Sequence, residues 1–202
     1  MPTSRGNKFD LRKGSNIVWV LFCFAFVGAN AQMIDYVPFS KAVNKESRWI
    51  AFGDTRNSFL ENSTLKIRGI KIGKEWDETW QVGGGLDLAN VEDVRPNASS
   101  RLIGFGAFLA YGFKWKGYQY KIPLQLNYGT WKEVRSHSMI SYEAALVITK
   151  RYFDFLILGA GVGYRLLLYS NVPQISGGTA PVYLLKVGLD PKALGKKLGV
   201  LK

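Results

Sequence analysis

Residues 101 to 128 constrain this chain more tightly than any other stretch. Ile103, Phe105, Ala107, Leu109, Tyr111, Phe113 and Trp115 alternate with Leu102, Gly104, Gly106, Phe108, Ala110, Gly112 and Lys114. After Lys116-Gly117 the alternation resumes, with Tyr118, Tyr120, Ile122, Leu124, Leu126 and Tyr128 set against Gln119, Lys121, Pro123, Gln125, Asn127 and Gly129. Successive side chains of an extended chain point to opposite faces, so a period of two sustained this long predicts two strands joined by a tight turn. They exceed the roughly five or six residues of a usual globular strand and reach the roughly 9–11 that a tilted strand needs to cross a bilayer.

Other stretches follow the same rule. Trp80, Val82, Gly84, Leu86 and Leu88 oppose Gln81, Gly83, Gly85, Asp87 and Ala89; Ile140, Tyr142, Ala144, Leu146 and Ile148 oppose Ser141, Glu143, Ala145, Val147 and Thr149. Leu156 to Leu168 alternate with Phe155 to Leu167, a face that carries Gly159, Gly161, Gly163 and Arg165; Tyr183, Leu185, Val187 and Leu189 oppose Leu184, Lys186 and Gly188. In 64 to 74, Leu65 and Ile67 share one parity while Ile70 and Ile72 fall on the other, which predicts a bulge near Gly69. A strand over 47 to 53, around Trp49-Ile50-Ala51-Phe52, completes an even count of eight. Short turns around Asp77, Lys116-Gly117 and Arg151-Tyr152 alternate with longer connections at 54 to 63, 90 to 101, 130 to 138 and 170 to 180. That order suits a transmembrane barrel with periplasmic termini, short periplasmic turns and longer extracellular loops.

Residues 1 to 31 read as a cleaved signal peptide. Arg5, Lys8, Arg12 and Lys13 precede an apolar run, Ile17 to Val27, and Ala29-Asn30-Ala31 forms a small-x-small cleavage site. The run is too short to span a membrane as a helix, which takes about 20 apolar residues, and the large neighbours of Cys23 exclude a lipoprotein reading. Cleavage leaves a chain starting at Gln32 without the only cysteine, Cys23, which excludes disulfides, thiol catalysis and cysteine metal sites. The segment removes four basic residues and Asp10, a net +3, so +9 of the +12 remains. Export and dispersed basic residues argue for no nucleic-acid partner. The expected organisation is a signal peptide at 1–31, a periplasmic segment at 32–46, the barrel at 47–190 and a basic tail at 191–202.

Alternation alone leaves open which face is inside. The less apolar face combines Gly83, Gly85, Gly104, Gly106, Gly112 and Gly161 with isolated polar groups such as Gln81, Asp87, Lys121, Gln125, Glu143 and Arg165. Glycine weakens an exposed strand, but a narrow lumen needs small residues beside large ones. The aromatics agree: Trp76, Trp80, Trp115, Tyr118, Tyr120, Tyr152 and Phe153 gather by the short turns, and Tyr128, Trp131, Tyr142 and Tyr169 towards the long loops, as two interfacial girdles. Phe108, Phe155, Arg165 and Lys121 are expected to share the lumen.

From residue 47 to 190 the chain resembles the small eight-stranded outer-membrane β-barrel proteins of Gram-negative bacteria, through the pattern of Ile103 to Trp115, the Lys116-Gly117 turn and Tyr118 to Tyr128. The resemblance implies an all-β, antiparallel up-and-down transmembrane barrel in the outer membrane, with a structural or loop-mediated interaction role. It also implies outer-membrane lipid and lipopolysaccharide, the barrel-insertion machinery and an unidentified protein at the extracellular loops as partners. Members often end on a strand with a terminal aromatic; here the chain runs past Pro191 into a tail with Lys192, Lys196, Lys197 and Lys202 beside Leu194, Leu198 and Leu201. That tail either rests on the anionic inner leaflet or is a solvated terminus.

Two rival functions stay open: a lipid A-modifying enzyme of the outer membrane and a soluble exported lipid-binding barrel. His137, with Ser136, Ser138, Ser141 and Glu143 nearby, is the one neighbourhood with a base beside a nucleophile. Its spacing departs from the deacylase pattern, so no catalytic residue is assigned. No ligand spacing for a metal is present, and the glycines of QVGGGLDL and LGAGVGY lie inside strands rather than opening a helix, so no cofactor is assigned either. The hairpin at Lys116-Gly117 fixes a pairing in which residue numbers sum to 233, with a local break expected at Pro123 opposite Ala110. A sum near 155 at the Asp77 turn places Arg68 opposite Asp87 as a lumenal ion pair.

Overall fold

The computed structural model describes residues 36–60, 63–93, 99–132, 136–170 and 179–200, and residues 1–31, expected as a signal peptide, lie outside them. Eight strands form one closed antiparallel barrel: β1 (Ser47–Leu60), β2 (Ser63–Trp76), β3 (Trp80–Asp93), β4 (Ser99–Trp115), β5 (Tyr118–Lys132), β6 (Ser136–Tyr152), β7 (Leu156–Ser170) and β8 (Ala180–Leu189). Each strand pairs with its sequence neighbours, and β8 returns to pair with β1. A single helical turn, α1 (Phe39–Ala42), precedes the barrel, and a short helix, α2 (Pro191–Lys197), follows it.

The barrel is apolar outside and charged inside. Ile70, Leu86, Leu185 and Phe105 are 78%, 65%, 61% and 60% exposed, whereas Arg56, Glu75 and Arg165 are 0%, 0% and 1% exposed. A soluble protein places such residues the other way round. This is the surface of a barrel whose outer solvent is lipid.

The hairpin of β4 and β5 has the expected register: Trp115 pairs with Tyr118, Phe113 with Tyr120, Gly112 with Lys121 and Gly106 with Asn127. Lys116 and Gly117 both have positive φ, 48° and 80°, the geometry of a tight turn that matches strand twist. The break at Pro123 differs from expectation. Pro123 pairs with Ala110 in an unbroken ladder, and the lapse falls on the β6 side, where pairing skips from Lys121–Val147 to Leu124–Ala144 without changing register. The missing N–H therefore belongs to the ladder with β6.

Four other expectations are corrected. No bulge lies at Gly69, which pairs with Asp54 and Asp87 in ladders of constant register. Leu65 and Ile67 instead turn inward and pack with Ala89, Leu102 and Met139, so hydrophobicity changes face while the backbone does not. The Asp77 turn holds three residues and is closed by Trp76 opposite Trp80, so Arg68 pairs with Leu88 and points outward, and Gly69 faces Asp87. The connections expected at 54 to 63, 90 to 101 and 130 to 138 are largely strand, since β1 continues to Leu60, β2 begins at Ser63, β3 runs to Asp93 and β5 to Lys132, while most of 170 to 180 lies outside the described residues. Polar residues such as Asp54, Arg56 and Ser58 suggest a loop only if the inner face of a strand is assumed to be apolar. Phe155 lies in the turn before β7, its ring stacked on Phe153 at 6.2 Å, and not in the lumen.

The described segments that flank the barrel, before β1 and after β8, lie at the short-turn rim. The Phe39 ring stands edge-on to Trp76 and Trp80 at 5.7 and 5.6 Å, and Trp80 Nε1 donates to the Val37 carbonyl at 2.8 Å. Asp190 caps α2 by accepting from the Ala193 N–H at 3.1 Å, with Pro191 at the first helical position, where its missing N–H costs nothing.

Candidate functional site

The lumen is where this sequence concentrates its polar chemistry. Asp54, Arg56 and Ser58 on β1, Lys71 and Glu75 on β2, Gln81 and Asp87 on β3, Lys121 and Gln125 on β5, Glu143 on β6 and Arg165 on β7 are all buried. They share the inward parity of their strands, so the closed sheet aims them at one axis.

Arg56 organises the half nearer the long loops. Its Nη1 donates to Glu143 Oε2 at 2.8 Å, its Nε to Asp54 Oδ1 at 3.2 Å, and its Nη2 to Asp87. Glu143 accepts a second arginine, Arg165, whose Nη1 also donates to Ser58 Oγ at 3.1 Å. Lys71 joins Asp54 to Gln125, with Nζ at 2.5 Å from each acceptor, and Gln125 Nε2 reaches Asp87 Oδ2 at 3.2 Å. Above this net, towards the loops, lies the apolar cluster of Leu65, Ile67, Ala89, Leu102 and Met139.

Glu75 organises the other half. It accepts from Lys121 Nζ and Arg48 Nε, each at 2.5 Å, and from Gln81. Between the two nets Phe52 and Phe108 meet edge-on at 5.3 Å, and Lys186 Nζ lies 3.4 Å from the Phe52 ring centre. Among the described residues, Lys186 is an inward cation without a carboxylate partner. Gly73 and Gly83 make room for Phe108: a Cβ there would lie 2.9 and 2.7 Å from its ring.

At the short-turn mouth a cavity of about 460 Å³ is lined by Arg48, Glu75, Glu78, Lys114, Asp190 and Lys196 among others. Burial pushes the Glu78 carboxyl up, but hydrogen bonds from Lys114 and Arg48 outweigh it and hold the group below its ordinary value. Arg48 Nη2 lies 2.9 Å and Lys114 Nζ 2.6 Å from Glu78. Arg151 Nη1 sits 3.3 Å from Asp190, tying the last strand's exit to β6.

Of the His137 neighbourhood, Ser138 and Glu143 lie on opposite faces of β6. His137 pairs along the backbone with Trp131, and its side chain lies outside the described residues. Tyr128 OH and Ser138 Oγ are 3.2 Å apart on the outer face, while Glu143 is committed inside to Arg56 and Arg165. Among the described residues no group of three or more His, Cys, Asp or Glu could hold a metal ion. Asp54, Arg56, Lys71 and Glu75 escaped the sequence reading, although Ile50, Phe52, Asp54, Arg56 and Ser58 keep a strict period of two.

What these features define is a small closed barrel with a lipid-compatible exterior and a lumen filled by paired charges. The fold is shared with Neisserial surface protein A (NspA), at 13% identity and a TM-score of 0.50, over 72% of this chain and 99% of that one. Ail, the attachment invasion locus protein of Yersinia pestis, solved with the heparin analogue sucrose octasulfate, aligns at 11% identity and a TM-score of 0.40, over 71% of this chain and 96% of that one. No family model matches the sequence, and no curated protein matches it. The chain thus has the fold of the small eight-stranded outer-membrane barrels, with a lumen of its own composition.

Proposed function

We propose that the protein is an integral outer-membrane barrel whose packed lumen makes it a rigid scaffold, with a structural role or one exercised through its loops, and not a general porin. The observation that carries this is the inversion of polarity, Arg56 and Arg165 buried inside while Ile70 and Leu86 are exposed outside. In this reading both termini face the periplasm, the residues that link the strands at the far end meet lipopolysaccharide and a protein partner, and the insertion machinery assembles the chain. A soluble lipid-binding barrel needs an apolar interior, where this one holds two ion-pair nets. A lipid-modifying enzyme needs an acid free to orient its histidine, and Glu143 is held by two arginines.

The test is electrophoresis of the chain from Gln32 after folding into lipid vesicles. A closed membrane barrel migrates differently before and after boiling and stays with the vesicles through a carbonate wash. A single mobility and release into the wash would overturn the reading.

A further inference from the structure

We infer that the short-turn rim is a docking surface for glycerophospholipids of net negative charge; this rests on the membrane-barrel reading above. Four lysines around that rim stack on aromatic rings. Lys74 on β2 lies 5.6 Å from the Trp76 ring centre, and Lys116 in the β4–β5 turn 4.8 Å from Trp115. Lys150 on β6 lies 5.7 Å from Tyr118 and 5.5 Å from Tyr152, and Lys197 at the end of α2 lies 5.2 Å from both Phe153 and Phe155. None of the four is paired with a carboxylate among the described residues.

The acids of this rim are mostly used elsewhere. Glu75 holds Lys121 and Arg48, Asp77 holds Lys45, Glu78 holds Arg48 and Lys114, and Asp190 holds Arg151. Glu46 and Asp154 are exposed without an ion pair among the described residues, fewer than the four stacked lysines. An excess of positive charge is therefore left on the outside of the rim. An aromatic ring beneath each ammonium orders it at the depth where Tyr, Trp and Phe meet head groups, while its outer side stays open to a phosphate. A zwitterionic head group brings its own cation to the same place and loses the attraction; phosphatidylglycerol or cardiolipin does not. The charge complementarity selects the anionic lipid.

The folded chain from Gln32 in phosphatidylcholine vesicles, with a fraction of dibrominated phosphatidylglycerol or dibrominated phosphatidylcholine, provides the test. Trp49, Trp76, Trp80 and Trp115 report quenching from this end of the barrel. The anionic lipid is expected to associate roughly fivefold more strongly, as one lysine near a charged surface provides, and the preference should shrink in high salt. The variant K74Q/K116Q/K150Q/K197Q should quench equally with both lipids, while K66Q/R68Q, altered on the outer face nearer the other end, keeps the preference. Equal quenching in the unaltered folded barrel, or a preference that survives the quadruple substitution, overturns the proposal. Failure of the unaltered chain to show a heat-sensitive mobility overturns the membrane reading itself, a separate readout on the same samples.

Discussion

Arg56 is wholly buried and touches three carboxylates that come from β1, β3 and β6. Substituting Arg56→Met leaves Asp54, Asp87 and Glu143 close together without their common cation. A buried pair broken from one side costs about 3–5 kcal/mol, so the urea midpoint of the folded barrel should fall accordingly; an unchanged midpoint would mean that the net contributes nothing to stability. Gly83→Val should also impair folding, because a Cβ there runs into the Ile72 carbonyl and lies 2.6 Å from Gly73 Cα and 2.7 Å from the Phe108 ring, and Phe108→Leu in the same chain should not recover the folded band, since the backbone contacts remain. Glu78 adds a pH dependence of known sign. Its folded carboxyl titrates lower than the unfolded one, near 4.5, so its contribution is complete above that value and is lost as pH falls through the lowered folded value. Glu78→Gln should flatten the acid limb of the stability profile, measured as urea midpoint against pH. At this scale the sequence disclosed Asp87, Glu143 and Arg165, because each stands among glycine, alanine or serine on one face of a regular strand, and Lys121, because it shares the polar face of Gln119, Gln125 and Asn127 opposite a regular apolar one. Asp54 and Arg56 were masked by neighbours that read as a loop: Thr55, Asn57 and Ser58 are polar on both parities.

Strands and turns were legible to the extent that turn chemistry specified them. Lys116-Gly117 permits positive φ at two successive positions, and the register that follows holds from Trp115–Tyr118 to Arg101–Lys132. The Asp77 turn gave no such constraint, since Asp77 and Glu78 adopt φ of 50° and 58° without a glycine. Its third residue, Thr79, returns its N–H to the Trp76 carbonyl at 2.9 Å and moves the ladder by one position from the expected sum. A one-residue slip would exchange the faces of a strand, so this register is worth a direct test. In a chain begun at Gln32, which lacks Cys23, Ile72→Cys and Gly84→Cys, which pair directly, should form a disulfide in the folded barrel. Lys71→Cys with Gly84→Cys should not, since those residues face opposite sides; the reverse result on non-reducing gels would contradict the ladder. The α2 cap was not legible as a cap, because Asp190-Pro191 reads equally well as a chain break. Asp190→Ala is expected to cost about 1 kcal/mol through the lost cap, and more if Arg151 finds no other acid. Proteolysis at the tail of the folded protein would report it.

Among the described residues, the barrel is a tube whose bore is occupied by side chains in successive layers. From the loop side inward come Leu65, Ile67, Leu102 and Met139, then the Arg56 net, then Phe52 against Phe108, then the Glu75 net. An ion crossing this barrel would have to displace an apolar layer, an edge-on aromatic pair and charged side chains that are each other's partners. Eight strands enclose just enough width for such side chains, whereas porins of about 16 strands leave a water channel. The purified barrel in planar bilayers is therefore expected to show no large, stable, porin-like conductance. Substitution tells which layer closes it. Phe108→Ala opens the aromatic layer yet leaves both ion-pair nets in place, so conductance should stay low. Phe108→Ala with Arg56→Ala and Leu102→Ala removes a member from three successive layers and should raise the frequency of brief openings, if the variant keeps its heat-sensitive mobility. Steps of porin size from the unaltered protein would require a wider assembly than the one closed ring of strands seen here. Because Lys186 and Phe52 lie together at the middle layer, with no carboxylate on that lysine among the described residues, any leak that does appear should favour anions over cations. Reversal potentials in a salt gradient measure that directly, and a cation preference would place the conducting path somewhere other than this lumen.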